Sequence, residues 1–189
     1  SLNNSGNIQA NSKIEVANNL NNNGNIKSLD SISINGNVNN DGEILTNKNF
    51  IAKDVVSSKR LIAKENISVS NLNNSGAVAT EKKLEINGSL ENKGKIQAIE
   101  DIKISENANN SGSILTNSKF SSKDLRNTNE LKANKEISVK NLENTGNILT
   151  GDILNVDGSL NNSGNIQANS KIEVANNLKN NGSVKSLDS

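Results

Sequence analysis

Cysteine, histidine, proline, methionine, tryptophan and tyrosine are all missing from this chain, and only two phenylalanines occur in its 189 residues. Without cysteine there is no disulfide framework and no thiolate nucleophile. Without histidine the commonest general base and metal ligand is gone, and no serine stands beside a base that could activate it. Apolar residues make up 32% and aromatics 1%, too few large side chains for an ordinary globular core, so that composition alone could pass for disorder. The 21 basic and 20 acidic residues leave a net charge of +1, which gives no electrostatic case for nucleic acid or an anionic membrane as partner. No run of about 18 apolar residues is present to span a bilayer. Neither an initiating Met nor a leader precedes Ser1, so the chain reads as an excerpt of a longer polypeptide.

What the chain has instead is repetition. Residues 1–20, SLNNSGNIQANSKIEVANNL, return letter for letter at 159–178. Taking LNNSGNI as the frame, units start at residues 2, 20, 38, 55, 72, 90, 108, 125, 142, 160 and 178, a spacing of 17 or 18, and four units form a block of 70. The block is visible in NNDGEILTNKNFIAKD at 39–54 and NNSGSILTNSKFSSKD at 109–124.

Within a unit the apolar residues keep fixed offsets from the first. Offset 6 is always aliphatic, from Ile8, Ile26 and Ile44 to Ile166 and Val184; offset 12 is Ile, Leu or Phe; offset 8 is always Ala, Ser or Thr. Pairs at offsets 0/2, 6/8 and 12/14 have the period of two of a strand with one buried face, and the 3.6 period of a helix is absent. Three short strands per 17–18 residues, stacked unit on unit, predict an all-β fold: a parallel β-helix of triangular cross-section with about 10–11 rungs, forming one segment over residues 1–189.

Offset 2 is asparagine in ten units: Asn4, Asn22, Asn40, Asn74, Asn92, Asn110, Asn127, Asn144, Asn162 and Asn180, interrupted only by Ser57. It has inward parity, so the amides are expected to stack about 4.8 Å apart as a hydrogen-bonded ladder. Glycine at offset 4 in nine of eleven units suggests a corner with positive φ, which Asn129 tolerates and Lys59 does not suit. Phe50 and Phe120 occupy offset 12 of corresponding units, each followed by a small residue (Ala52, Ser122), in units that begin with Val38 and Ala108 instead of Leu. Core volume is thereby held constant.

The segments LNNSGNIQANSKIEVAN, LENTGNILTGDILNVDGS and LNNSGAVATEKKLEINGS resemble the repeats of filamentous haemagglutinins, the large exoproteins of bacterial two-partner secretion, which include contact-dependent growth inhibition proteins. The resemblance implies a right-handed β-helical shaft, exported through a cognate outer-membrane transporter and secreted or displayed at the bacterial cell surface. A host-cell receptor or a neighbouring bacterium would then be met by regions outside this segment. The chain is richer in Asn and Lys and poorer in Gly than that family, and neither a secretion domain nor a toxin or adhesin tip is recognisable in it.

No catalytic, cofactor or metal residue stands out. Asp54 and Asp124 share offset 16 but lie four rungs, about 19 Å, apart, too far to act together as a glycosidase pair. Lys59 and Arg60 read as a solvated corner, and Asn-X-Ser/Thr triplets are as frequent as this composition supplies by chance. The expected role is a stalk that projects a binding or effector region. A direct host-cell or glycan-binding surface is the alternative, and a β-helical polysaccharide-processing enzyme is less favoured. Leu45, Ile51, Val56 and Ile62 carry apolar side chains at outward, odd offsets on two adjacent rungs, a candidate lateral contact.

Overall fold

A computed structural model describes residues 1–188. Every strand in it is parallel to its neighbours, and the chain winds as a β-solenoid of about ten turns with no helix. The first turn shows the plan: strands Leu2–Asn4, Asn7–Ala10 and Ile14–Val16, each paired one turn later at the same offset, as in Leu2↔Leu20, Ile8↔Ile26 and Ile14↔Ile32. The register slides by 18 residues where units are long and by 17 where they are short, as in Val55↔Leu72. Every residue therefore meets its equivalent in the next turn.

The alternating pattern fixes which side chains enter the core. Ile26, Ile32, Ile44, Phe50, Leu61, Ile67, Leu84 and Ile96 are buried, while alternate residues along the same strands, such as Asn25 and Lys27 on either side of Ile26, face water. Each such aliphatic side chain contributes about 1.5–3 kcal/mol when fully buried. Three or four per turn hold together a narrow core with almost no aromatic residues. Both phenylalanines are fully buried, and their layers contain the small buried residues Val38 with Ala52 and Ala108 with Ser122.

The strands fall into two sheets. The second strands of each turn form an 11-stranded sheet, and the first and third strands share a 19-stranded one. The shared sheet has its cause in the short units. Removing one residue from the third corner straightens the passage in two of the four short units, where Phe120–Asn127 and Ile137–Asn144 are single strands of eight residues; in the other two it stays interrupted, between Phe50–Ile51 and Asp54–Ser57 and between Ile67–Val69 and Asn71–Asn74. In an 18-residue turn the same passage, from Ile14–Val16 to Leu20–Asn22, is broken by a bend.

The glycine column needs a different reason from the one its spacing suggests. Among the described residues no glycine and no other residue has positive φ. A Cβ at Gly24 would overlap the carbonyl oxygen of Gly6 directly beneath it, and one at Gly94 would overlap that of Gly76. The column is glycine because turns stack backbone on backbone at that corner. Lys59 and Asn129 are accommodated with their side chains exposed to solvent.

Candidate functional site

The offset-2 asparagines form the longest organised polar feature, and it lies inside the solenoid. Asn22, Asn40, Asn74, Asn92, Asn127, Asn144 and Asn162 are wholly inaccessible, and Asn4 and Asn110 nearly so. Each Nδ2 donates to the Oδ1 one turn further along the chain: Asn4 to Asn22, Asn22 to Asn40, Asn74 to Asn92, Asn92 to Asn110 and Asn144 to Asn162, all at 2.8 Å. Asn110 to Asn127, Asn127 to Asn144 and Asn162 to Asn180 continue at 2.7, 2.8 and 2.9 Å. The same Nδ2 groups also reach backbone carbonyls, as Asn92 does to Gly94 and Ser113. Ser57 divides the ladder. Its hydroxyl accepts from Asn40 at 3.3 Å, and the Oδ1 of Asn74 in the following turn takes the N–H of Gly76 instead.

A second polar column runs along the corner after offset 8 and was not read from the sequence, although the restriction of that offset to Ala, Ser and Thr was its signal. Ser28, Thr46, Thr80, Thr116 and Thr150 each donate to a carbonyl of the preceding turn, that of Ser12, Asp30, Glu65, Glu100 and Lys135 respectively. Where alanine replaces the hydroxyl, a backbone N–H makes the link between turns, as Glu65 does to Lys48, Glu100 to Lys82 and Lys135 to Ser118. Both solutions leave the corner with its polar groups satisfied.

Outward side chains carry ion pairs between turns, among them Arg60 to Glu43 at 2.5 Å, Lys119 to Glu136 at 2.8 Å and Lys123 to Glu106 at 2.9 Å. All reach solvent, with Glu43 and Glu136 partly buried, and pairs of this kind contribute little stability each. The apolar positions Leu45, Ile51, Val56 and Ile62 do not make one patch. Leu45 and Ile62 are register partners, half-buried, on the face of the 11-stranded sheet. Ile51 pairs with Ser68 and Val56 with Asn73 on two other sides of the coil, each 47% exposed. Outward parity put the four on the surface; the corners separate them.

Ile51 instead belongs to a cleft of about 490 Å³ that opens across neighbouring turns, lined also by Asn49, Asn66, Ser68, Lys82, Lys83, Glu85 and Glu100. Among the described residues no three acidic side chains gather closely enough to hold a metal ion. No family model, no curated protein and no solved structure matches the chain.

Proposed function

We propose that this chain is a segment of the shaft of a secreted, surface-displayed fibrous protein, a stalk that holds a binding or effector region away from the bacterial cell. Its turns would be filamentous-haemagglutinin-type repeats, and a cognate outer-membrane transporter would carry them out. The observation that carries the reading is the unbroken register: each turn pairs with the next over the described chain, and the residues that repeat are those that face inward. At about 4.8 Å per turn, ten turns extend roughly 50 Å. Such a rod transmits position, and its length is set by the number of turns. On this reading the segment catalyses nothing, and contacts with a host receptor or a neighbouring bacterium belong to other regions.

In the intact exported protein, deleting residues 38–107 should bring the far end about 19 Å closer to the cell while leaving the activity of that end in place. Loss of that activity in a deletion variant that is still exported and folded would contradict the stalk role.

A further inference from the structure

Asn23, Asn35, Asn87 and Asn181 are each followed by glycine. In such a pair the glycine nitrogen can attack the side-chain carbonyl of the asparagine, because no Cβ on the following residue shields it. The C–N bond of the side-chain amide breaks, and its nitrogen leaves as ammonia with the proton of the glycine N–H, closing a succinimide ring. Water then opens the ring at one carbonyl or the other. One opening gives aspartate; the other gives isoaspartate, whose main chain runs through the side-chain methylene. The balance needs no oxidant, reductant or enzyme. What a fold controls is whether the glycine nitrogen is free to approach, so the partner of each glycine N–H ranks the sites.

Two of these glycines are held by the turn beneath. Gly88 donates its N–H to the carbonyl of Ser70 at 2.7 Å, and Gly24 donates to that of Asn4 at 3.2 Å. Gly182 donates at 3.1 Å to the Oδ1 of Asn180, a bond exposed to solvent. Gly36 differs, since its N–H meets no acceptor among the described residues. The Oδ1 of Asn19, which lies against Gly36 in the turn beneath, is taken by the N–H of Asn37 at 2.9 Å. The corner is otherwise ordered: Asn35 donates to the carbonyl of Val16 at 2.9 Å, and the carbonyl of Gly36 accepts from Lys53 at 3.1 Å. Asn35 itself is exposed to water. Nor is Gly36 exchangeable, because a Cβ there would overlap the Oδ1 of Asn19 and the backbone of Asn18. Stacking thus fixes the glycine that makes this asparagine reactive.

We infer that Asn35 is a site of spontaneous deamidation and isomerisation in the folded protein, a point at which the coil changes covalently with age while Asn23 and Asn87 stay protected. The two products differ in consequence. Aspartate fits: Asp157 precedes Gly158 at the same offset of another turn, and it donates its N–H to Val139 as Asn35 does to Val16. Isoaspartate adds an atom to the main chain between the strands Ile32–Ile34 and Val38–Asn40. The bonds that Lys53 makes to Gly36 and Leu20 to Asn37 lie just past that insertion, so the third corner of this turn loosens. The inference does not depend on the stalk reading, and its failure would leave that reading untouched.

The test is to age the 189-residue chain at mildly alkaline pH, folded and in parallel unfolded in denaturant, and to follow its peptides by mass spectrometry, with chromatography to part aspartyl from isoaspartyl forms. In denaturant Asn23, Asn35 and Asn87 should convert at similar rates. In the folded chain Asn35 should convert within a few-fold of its denatured rate, and Asn23 and Asn87 about tenfold or more below theirs, since a bond between turns must open first. Protection of Asn35 as strong as that of Asn87, or conversion of Asn87 ahead of it, would overturn the inference. Asn35→Gln, whose longer side chain closes its ring far more slowly, should keep the melting temperature and lose the early product; an early product that survives would place the site elsewhere. Asn35→Asp should melt with the unmodified chain, whereas the isolated isoaspartyl form should melt lower, and equal melting of that form would contradict the loosened corner.

Discussion

The buried amide of Asn92 accepts from Asn74 and donates to Asn110, and its value to the fold follows from having no water to turn to. Asn92→Leu would leave the Oδ1 of Asn110 without its donor and should cost about 1–3 kcal/mol. Glu91 next to it points outward, where it accepts from Asn109 at 3.1 Å, so Glu91→Leu should be nearly silent in the same denaturant titration. The reverse case is Ser122, whose hydroxyl is the one buried side-chain polar atom without a partner among the described residues. The equivalent place 70 residues earlier is Ala52. Ser122→Ala should therefore raise stability by about 1 kcal/mol, read as a higher melting temperature; a lower one would mean that the hydroxyl has a partner. At the glycine corner Gly94→Ala would drive a methyl into the carbonyl of Gly76, whereas a Cβ at Gly6 meets nothing. The first should destabilise by about 1–3 kcal/mol or more and the second should not, as parallel melts would show.

Between turns, the unit of stability is the column. Ser57 leaves the asparagine ladder in two runs, and Asn127, its equivalent in the second block, shows that an amide fits there, bonded to Asn110 and Asn144. Ser57→Asn should join the runs and add about 0.5–1.5 kcal/mol; destabilisation would mean that the short turn beneath it has no room for the amide. The columns were legible in the sequence to different degrees. Asparagine at one inward offset through ten units announced the ladder, because only a repeated structural need holds a polar residue at a buried position. The glycine corner was legible as a position and misread as a cause: Gly24 marks a close approach to Gly6 in the preceding turn, a tertiary contact that no local backbone preference encodes. The hydroxyls of Ser28 and Thr46 were visible only as small residues, since their acceptors come from a different turn. The cleft at Ile51 lay outside reach for a related reason. Its walls are outward residues of successive turns, and offsets alone showed Ile51 as one of four apolar positions without showing that the corners part them.

On the scale of the whole molecule, the coil is a sum of turns and the contacts between neighbours. Its sequence contains no histidine, and its resolved charge perturbations point away from neutral pH. Hydrogen bonding to Lys48 and to the backbone of Ser31 lowers the Asp30 carboxyl, and hydrogen bonds to Glu136 and Glu106 raise Lys119 and Lys123. A lowered carboxyl stabilises above its unfolded range and loses that contribution as pH falls; a raised lysine stabilises below its unfolded range and loses it as pH rises. Melting temperature should thus stay level across neutral pH and decline toward both extremes. A turn can also be removed without touching the others, provided register is kept. Excising residues 38–107 joins Asn37 to Ala108, which is buried in its turn as Val38 is in its own, and sets Asn22 beneath Asn110. Small-angle scattering on the full chain and on this deletion tests the stacked-turn stalk most directly. The account predicts the same cross-section and β-type circular dichroism with a maximum dimension shorter by about 19 Å. Loss of the β signal, or an unchanged length, would contradict it.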